Sequence, residues 1–367
     1  MSKSILFVII FGSLFVFTLQ DPIGIALYTI NLSILMVLYL IKYGIKKNHL
    51  KIIGVMIFIT SPGIFTIYND MMVTYHLFQT LTLFVLSIVV AEKNKVSDIL
   101  IVSRIVLMLY ITIILMGAFI FRNENEPMSH IIPGSSTNGI PSYLILFQSY
   151  YSMIYYIEKK SLPIISILCT TFISIIGYGR GSIIVSVIML IFTALVNFSP
   201  LFNENNNFHK IKKIIILFAI IVIGSMVYSC LDQIINFFEL YTKLGNGVID
   251  ESRGEIFESY FNNLNLNSLL FGGQYAGTII ETQYFGNPHI SYIRTHHLFG
   301  LFALTFIFIS PFFYYLIISN FKIASVFFSF SVFSLLRAGS EPILFPSLLD
   351  IFFLLPYFIL IKIKNNV

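Results

Sequence analysis

Charge is what this chain has least of. Only 11% of its 367 residues are Asp, Glu, Lys or Arg, while 57% are hydrophobic, and the mean hydropathy is +0.88. Soluble domains carry about 25% charged residues. The composition therefore excludes the soluble globular class and leaves a polytopic membrane protein. Cysteine is nearly absent as well. Cys169 lies within an apolar run and Cys230 near the end of another, which excludes a disulfide framework and a thiolate metal site. The net charge of +5 is no nucleic-acid signal, because lysines between apolar runs report orientation. No nucleotide-binding motif and no internal repeat is visible.

What fills the chain is hydrocarbon. About twelve apolar runs, each close to the ~20 residues a bilayer-crossing helix needs, fall at 4–20, 22–41, 52–68, 72–91, 99–121, 140–157, 162–178, 181–198, 212–231, 295–318, 323–340 and 343–361. Lipid offers the backbone no hydrogen-bond partner, so these runs are predicted to be helices, and the fold class all-α. The first run follows a basic start but lacks a small-residue cleavage pattern before Asp21-Pro22. It is read as a retained helix. The chain forms a single integral membrane domain, with one large connector over about 232–294.

With the N-terminus inside, 16 of the 22 basic residues fall on the cytoplasmic side, among them Lys3, Lys46, Lys93, Lys159, Lys322 and Lys362. That bias places both termini in the cytoplasm and the connector outside. Only Arg122, Arg180, Lys243, Arg253, Arg294 and Arg337 remain on the outer side, against the bias. Arg180, in Gly177-Tyr178-Gly179-Arg180-Gly181, precedes a helix whose N-terminus favours an anion; the alternative is an arginine snorkelling to lipid phosphates.

Ser252 and Glu255 have the spacing of a capping box, so a helix is predicted from Arg253, with Ile256, Phe257, Tyr260, Phe261 and Leu264 on one apolar face. Such a helix lies along the membrane surface. Gly254 leaves room for a phosphate to approach the backbone. The competing reading is a salt bridge between Arg253 and Asp250. His289 follows Asn287-Pro288, an N-cap and first-turn pair. It is therefore expected in the first turn of the next helix, neutral and able to accept a proton; the competing reading is an ordinary surface histidine. His296, His297 and Glu281 match no strong metal-ligand spacing.

At these residues the sequence resembles a family, the Wzy-type O-antigen polymerases and O-antigen ligases, which are integral membrane glycosyltransferases. The resemblance rests on Gly179-Arg180-Gly181, on Arg253 followed after about nineteen residues by Leu270-Phe271-Gly272-Gly273, and on His289 placed ahead of Gly300-Leu301. It also covers the topology, with one large outer loop late in the chain. Two positions depart from the family: the serine common before the first arginine is Gly179, and the asparagine common after the histidine is Ile290.

The resemblance implies transfer of sugar chains on the periplasmic face of the bacterial inner membrane, from an undecaprenyl-diphosphate-linked oligosaccharide to a hydroxyl of a second lipid-linked unit. His289, Arg253 and Arg180 would be catalytic. Arg180, Arg253, Gly254, Gly272, Gly273 and Arg294 would bind substrate. No metal or other cofactor is implied; a flippase and a chain-length regulator of the same pathway would be partners alongside membrane lipids, with no nucleic acid. Within the family an O-antigen ligase is the alternative; the competing classes are a flippase, which would place charge near the midplane, and a structural partner of a glycan assembly complex. The span interiors are almost free of charge, and Arg337 with Glu341 reads as a helical i, i+4 pair.

Overall fold

In a computed structural model, residues 1–65, 71–124, 127–132, 138–198 and 251–365 are described. The predicted run 212–231, the first part of the outer connector, Cys230, Lys243 and Asp250 lie outside them. Among the described residues the chain is all-helical, without strands. In chain order the helices are α1 (Lys3–Thr18), α2 (Pro22–Tyr43), α3 (Lys47–Thr60), α4 (Met71–Lys93), α5 (Val96–Ile120), α6 (Pro127–Ile131), α7 (Gly139–Lys159), α8 (Ile164–Ile176) and α9 (Arg180–Phe198). After the undescribed stretch come α10 (Glu251–Asn262), α11 (Leu266–Phe271), α12 (Ile279–Thr282), α13 (Ser291–Ile309), α14 (Phe313–Ile317), α15 (Phe321–Ala338) and α16 (Asp350–Asn365).

Among the described residues, six segments are long and apolar enough to cross a membrane: Pro22–Tyr43, Val73–Lys93, Val96–Ile120, Arg180–Phe198, Ser291–Ile317 and Phe321–Ala338. The other apolar runs in described residues are helical too, but shorter or more polar. Their outer faces are compatible with a lipid surrounding. α2 turns Ile23, Leu27, Ile30, Ile34, Leu38 and Ile41 outward, with Ile41 78% exposed. Soluble monomers rarely leave an apolar face of that length exposed.

Two helices form the centre. α7 is buried almost all round, and α16 is buried from Asp350 to Leu360. Phe352 of α16 packs edge-on to Phe147 of α7 at 4.8 Å. α7 carries polar groups into this interior, and they satisfy one another: Gln148 donates to Ser152 at 3.0 Å and accepts from Thr170 at 3.3 Å. Polar residues between apolar helices act in this way as interhelical ties.

The boundaries depart from expectation where side chains or glycines intervene. The run at 52–68 begins earlier, at Lys47, and stops at Thr60, followed by a 3-10 turn at Pro62–Phe65. Gly63 ends it by lying against α13, where a Cβ would come within 1.8 Å of the Leu298 carbonyl. The run at 343–361 becomes helical only at Asp350, because 339–349 is an ordered loop. The buried Asp350 carboxylate accepts from the backbone N–H of Phe345 at 2.8 Å and of Ser347 at 2.9 Å.

The helices alternate so that charge separates to two ends. At one end Lys3 pairs with Asp98 at 3.1 Å, Lys46 with Glu92 at 2.7 Å, and Lys362 of α16 donates to Ala91 O and Asn94 O at the close of α4. The opposite end gathers the starts of α7, α9 and α13 with the end of α15 and the 339–349 loop. Among the described residues, no lysine takes part in the contacts that tie them.

Candidate active site

Arg337, in the last turn of α15, is 2% exposed. Its Nε donates to Ser182 Oγ in the first turn of α9 at 3.0 Å, its Nη1 to Ser340 Oγ, and its Nη2 to the Asn138 carbonyl before α7 at 3.4 Å. One guanidinium therefore fixes the ends of three helices. Its remaining contact is Glu341 Oε1, at 3.5 Å from Nη2. The same oxygen lies 3.4 Å from Arg253 Nη2, on α10. The expected i, i+4 pair thus exists, but α15 ends at Ala338, and the pair is joined by an arginine from a distant part of the chain.

Glu341 is held in place by α13. Ser291 Oγ donates to the Glu341 carbonyl at 2.7 Å and accepts from Leu344 N at 3.1 Å. One turn on, Thr295 donates to Phe345 O at 2.7 Å, and Arg294 Nη2 donates to Pro342 O and Pro346 O at 2.9 and 2.7 Å. Ser291, Arg294 and Thr295 share one helix face by their i, i+3, i+4 spacing, and that face clamps the loop. Arg294, expected to bind substrate, holds these carbonyls through Nη2, while its buried Nε has no hydrogen-bond partner among the described residues.

Arg180 is the first residue of α9, as expected. The flanking glycines have a structural cause. A Cβ at Gly181 would lie 2.9 Å from Arg337 Nη1, and one at Gly179 would lie 2.1 Å from Asn138 Oδ1. Asn138 thus occupies the space that the family's serine side chain would need. Arg180 itself is half-buried at the same helix end.

Arg253 does not begin its helix. α10 already includes Glu251 and Ser252, so the Ser252–Glu255 capping box is not the helix start. The apolar face is real: Ile256 and Tyr260 are buried with Ile280, Ile290 and Ile293 in a small core beneath the connector. Phe261 is the exception at 41% exposed. α10 packs on α12 and the start of α13. Gly254 is open, with nothing within 4 Å of an added Cβ.

His289 also departs from expectation. α13 begins at Ser291 with Ile290 as N-cap, and His289 stands before it at φ 53°. Its N–H donates to Asn287 Oδ1 at 3.0 Å, a side-chain turn in place of a helix start. The helix terminus is therefore not what sets its charge. Burial lowers its pKa most; Glu341 opposes, and Arg253 lowers it further. The neutral ring remains favoured, by a different cause, and His289 feels the same two groups that meet at Glu341 Oε1.

Gly272 and Gly273 are buried packing positions, not an open phosphate cradle. Gly272, at φ 116°, lets the backbone close on α13, 2.6 Å from the His297 carbonyl for an added Cβ, and Gly273 faces Leu264 and Tyr260. Gly300, at φ 80° and ψ −174°, breaks α13 to receive the Leu270–Phe271 backbone. The same docking employs the two histidines. His296 lies 2.8 Å from Tyr260 OH and 2.7 Å from Leu269 O, and His297 stacks on Tyr275 at 3.9 Å. Glu281 accepts from Gly277 N at 2.9 Å. Among the described residues no group of three or more His, Cys, Asp or Glu side chains is placed to hold a metal ion.

The arrangement thus brings together Arg253, His289 and the Arg180 turn, and adds Arg337, Glu341 and Asn138. An apolar cavity of about 190 Å³ lies between α3, α4, α13 and α16, walled by Met56, Phe84, Phe299, Phe353 and Phe358 and reaching Phe345 of the 339–349 loop. The chain matches no family model, no curated protein and no solved structure.

Proposed function

We propose that this protein is an inner-membrane glycosyltransferase of the O-antigen polymerase type, joining undecaprenyl-diphosphate-linked repeat units on the periplasmic face. The observation that carries the reading is the meeting of Arg253, Arg337 and Glu341 beside His289 and the Arg180 turn, at the helix ends opposite the lysines. By the positive-inside rule the lysine end is cytoplasmic. Both termini then lie inside, the chain crosses about twelve times, and the cluster faces the periplasm.

The chemistry follows from charge. A glycosyl diphosphate already has a good leaving group, so the site's main task is to stabilise negative charge as the C–O bond breaks. Planar guanidinium groups suit that task through paired hydrogen bonds to phosphate oxygens. The acceptor hydroxyl attacks the anomeric carbon, its proton passes to neutral His289, and the bond to the diphosphate oxygen breaks with its electron pair. Lipid-linked diphosphate leaves. The apolar cavity beside Phe345 has the lining an isoprenoid chain requires.

A cluster at the helix ends favours a surface reaction over a flippase, whose charges belong near the midplane. Deleting the protein from its host and resolving the lipopolysaccharide ladder tests the assignment. Loss of a polymerase leaves lipid A-core with one repeat unit. A ladder without any attached O-antigen would make it a ligase, and lipid-linked units stranded on the inner face a flippase.

A further inference from the structure

At the lysine end, α2, α3 and α4 enclose a second cavity, of about 200 Å³. Its polar lining sits at the helix ends: Tyr43, Lys46, His49, Glu92 and Lys93. Its apolar lining, with Leu40, Ile53, Val85 and Val89, lies about one to two turns further in. The cavity is therefore amphipathic, cationic at the mouth and hydrocarbon inside. Lys46 is neutralised by Glu92 at 2.7 Å, with His49 3.7 Å from the same carboxylate. Lys93 Nζ and Lys42 Nζ stand 4.3 and 5.3 Å from the centre of one ring, that of Tyr43, and among the described residues neither ammonium has an anionic partner. The ring's face attracts each of them, yet the like charges repel. An anion beside both relieves that repulsion.

We propose that this cavity is a binding site for an anionic phospholipid of the leaflet at the lysine end, with the head-group phosphate beside Lys42 and Lys93 and an acyl chain entering between α2, α3 and α4. Basic pockets between membrane helices recognise lipid head groups in this way. Orientation alone accounts for lysines at this end, but not for a hydrocarbon-lined cavity beneath two of them. On the same helices Leu38, Ile41 and Leu50 are 59%, 78% and 54% exposed, so a chain that leaves the cavity meets apolar surface. A zwitterionic lipid brings its own ammonium to a mouth that already holds two cations without an anion. The site lies at the end of the molecule opposite Arg337 and His289, and it requires no assumption about the reaction there.

The purified, full-length protein in detergent is titrated with phosphatidylglycerol and, separately, with phosphatidylethanolamine of the same acyl chains, and bound lipid is counted by native mass spectrometry. The wild type is expected to hold one phosphatidylglycerol about tenfold or more tightly than phosphatidylethanolamine, since each lysine near a head group contributes a factor of about five. Lys42→Gln combined with Lys93→Gln should erase that preference. Lys159→Gln combined with Lys160→Gln, exposed lysines at the close of α7, should leave it. Glycerol 3-phosphate, which offers the phosphate without the chains, should not displace the lipid. Equal affinity for the two lipids overturns the proposal and leaves ordinary surrounding lipid. A preference that survives the first double variant, or falls equally in both, overturns it in favour of the general attraction of a lysine-rich end. Displacement by glycerol 3-phosphate at the lipid's own concentration would make the place a small-anion site in which the cavity has no part.

Discussion

Arg337→Met is the sharpest structural perturbation available. It leaves Ser182 Oγ, Ser340 Oγ and the Asn138 carbonyl without the donor they share, and leaves Glu341 facing Arg253 alone at 3.4 Å. Removing one partner of a buried ion pair costs about 3–5 kcal/mol. The control is Lys3→Met, which breaks the Lys3–Asp98 pair whose side chains are 61% and 29% exposed; such surface pairs contribute below about 1 kcal/mol. The assay is the temperature at which half of the detergent-solubilised protein loses its monodisperse elution in size exclusion. Arg337→Met should fall well below the wild type, Lys3→Met should lie close to it, and Arg337→Lys should fall between, since an ammonium cannot reproduce the fork. If Arg337→Met and Lys3→Met melt together, the arginine does not tie the three helix ends, and the geometric basis of the site fails.

Two further outcomes are expected. Gly179→Ser places a Cβ about 2.1 Å from Asn138 Oδ1 and should destabilise by about 1–3 kcal/mol as overpacking does, with Asn138→Ala recovering most of the loss in the same melting assay; no recovery would mean that the clash is not with Asn138. For His289, the folded pKa lies below the ordinary 6.5, so the unfolded chain takes up the proton first as pH falls, and the stability held by the neutral ring is lost between 6.5 and the folded value. A neutral base keeps working through that window, so the acid limb of kcat/KM should lie below 6.5, and His289→Gln should slow turnover by about 10²–10⁴-fold and abolish the limb. An inflection above 6.5 would mean that Glu341 outweighs burial and Arg253.

The all-helical class and the places of most described helices were legible because they depend on local composition: a long apolar run in lipid is driven to helix. Arg180 and Arg253 stood out in the sequence because they oppose the bias of the lysines, and His289 because it follows Asn287-Pro288. The partners of Arg337 were not, since Ser182, Asn138 and Arg253 lie far from the Arg337–Glu341 segment in sequence, and the i, i+4 spacing already offered a sufficient local account. Glycine misled in a characteristic way. Gly272 and Gly273 announce that something comes close to the backbone, and the sequence cannot say whether it is a phosphate or, as found, the carbonyls of α13, the ring of Tyr260 and the side chain of Leu264. Asn287-Pro288 matched a helix start, yet the asparagine side chain closes a turn one step earlier, with Phe285, Gly286 and His289 all at positive φ.

The central claim is that the cluster of Arg253, Arg337, Glu341 and His289 turns over a lipid-linked glycosyl diphosphate. Reconstituting the purified protein in liposomes with undecaprenyl-diphosphate-linked repeat units, and resolving the products by length, tests it most directly. The wild type should build polymer and release undecaprenyl diphosphate, while Arg253→Ala, present at the same level, should build none and Arg253→Lys very little. Polymer of normal length from Arg253→Ala, or none from the wild type, would contradict the account.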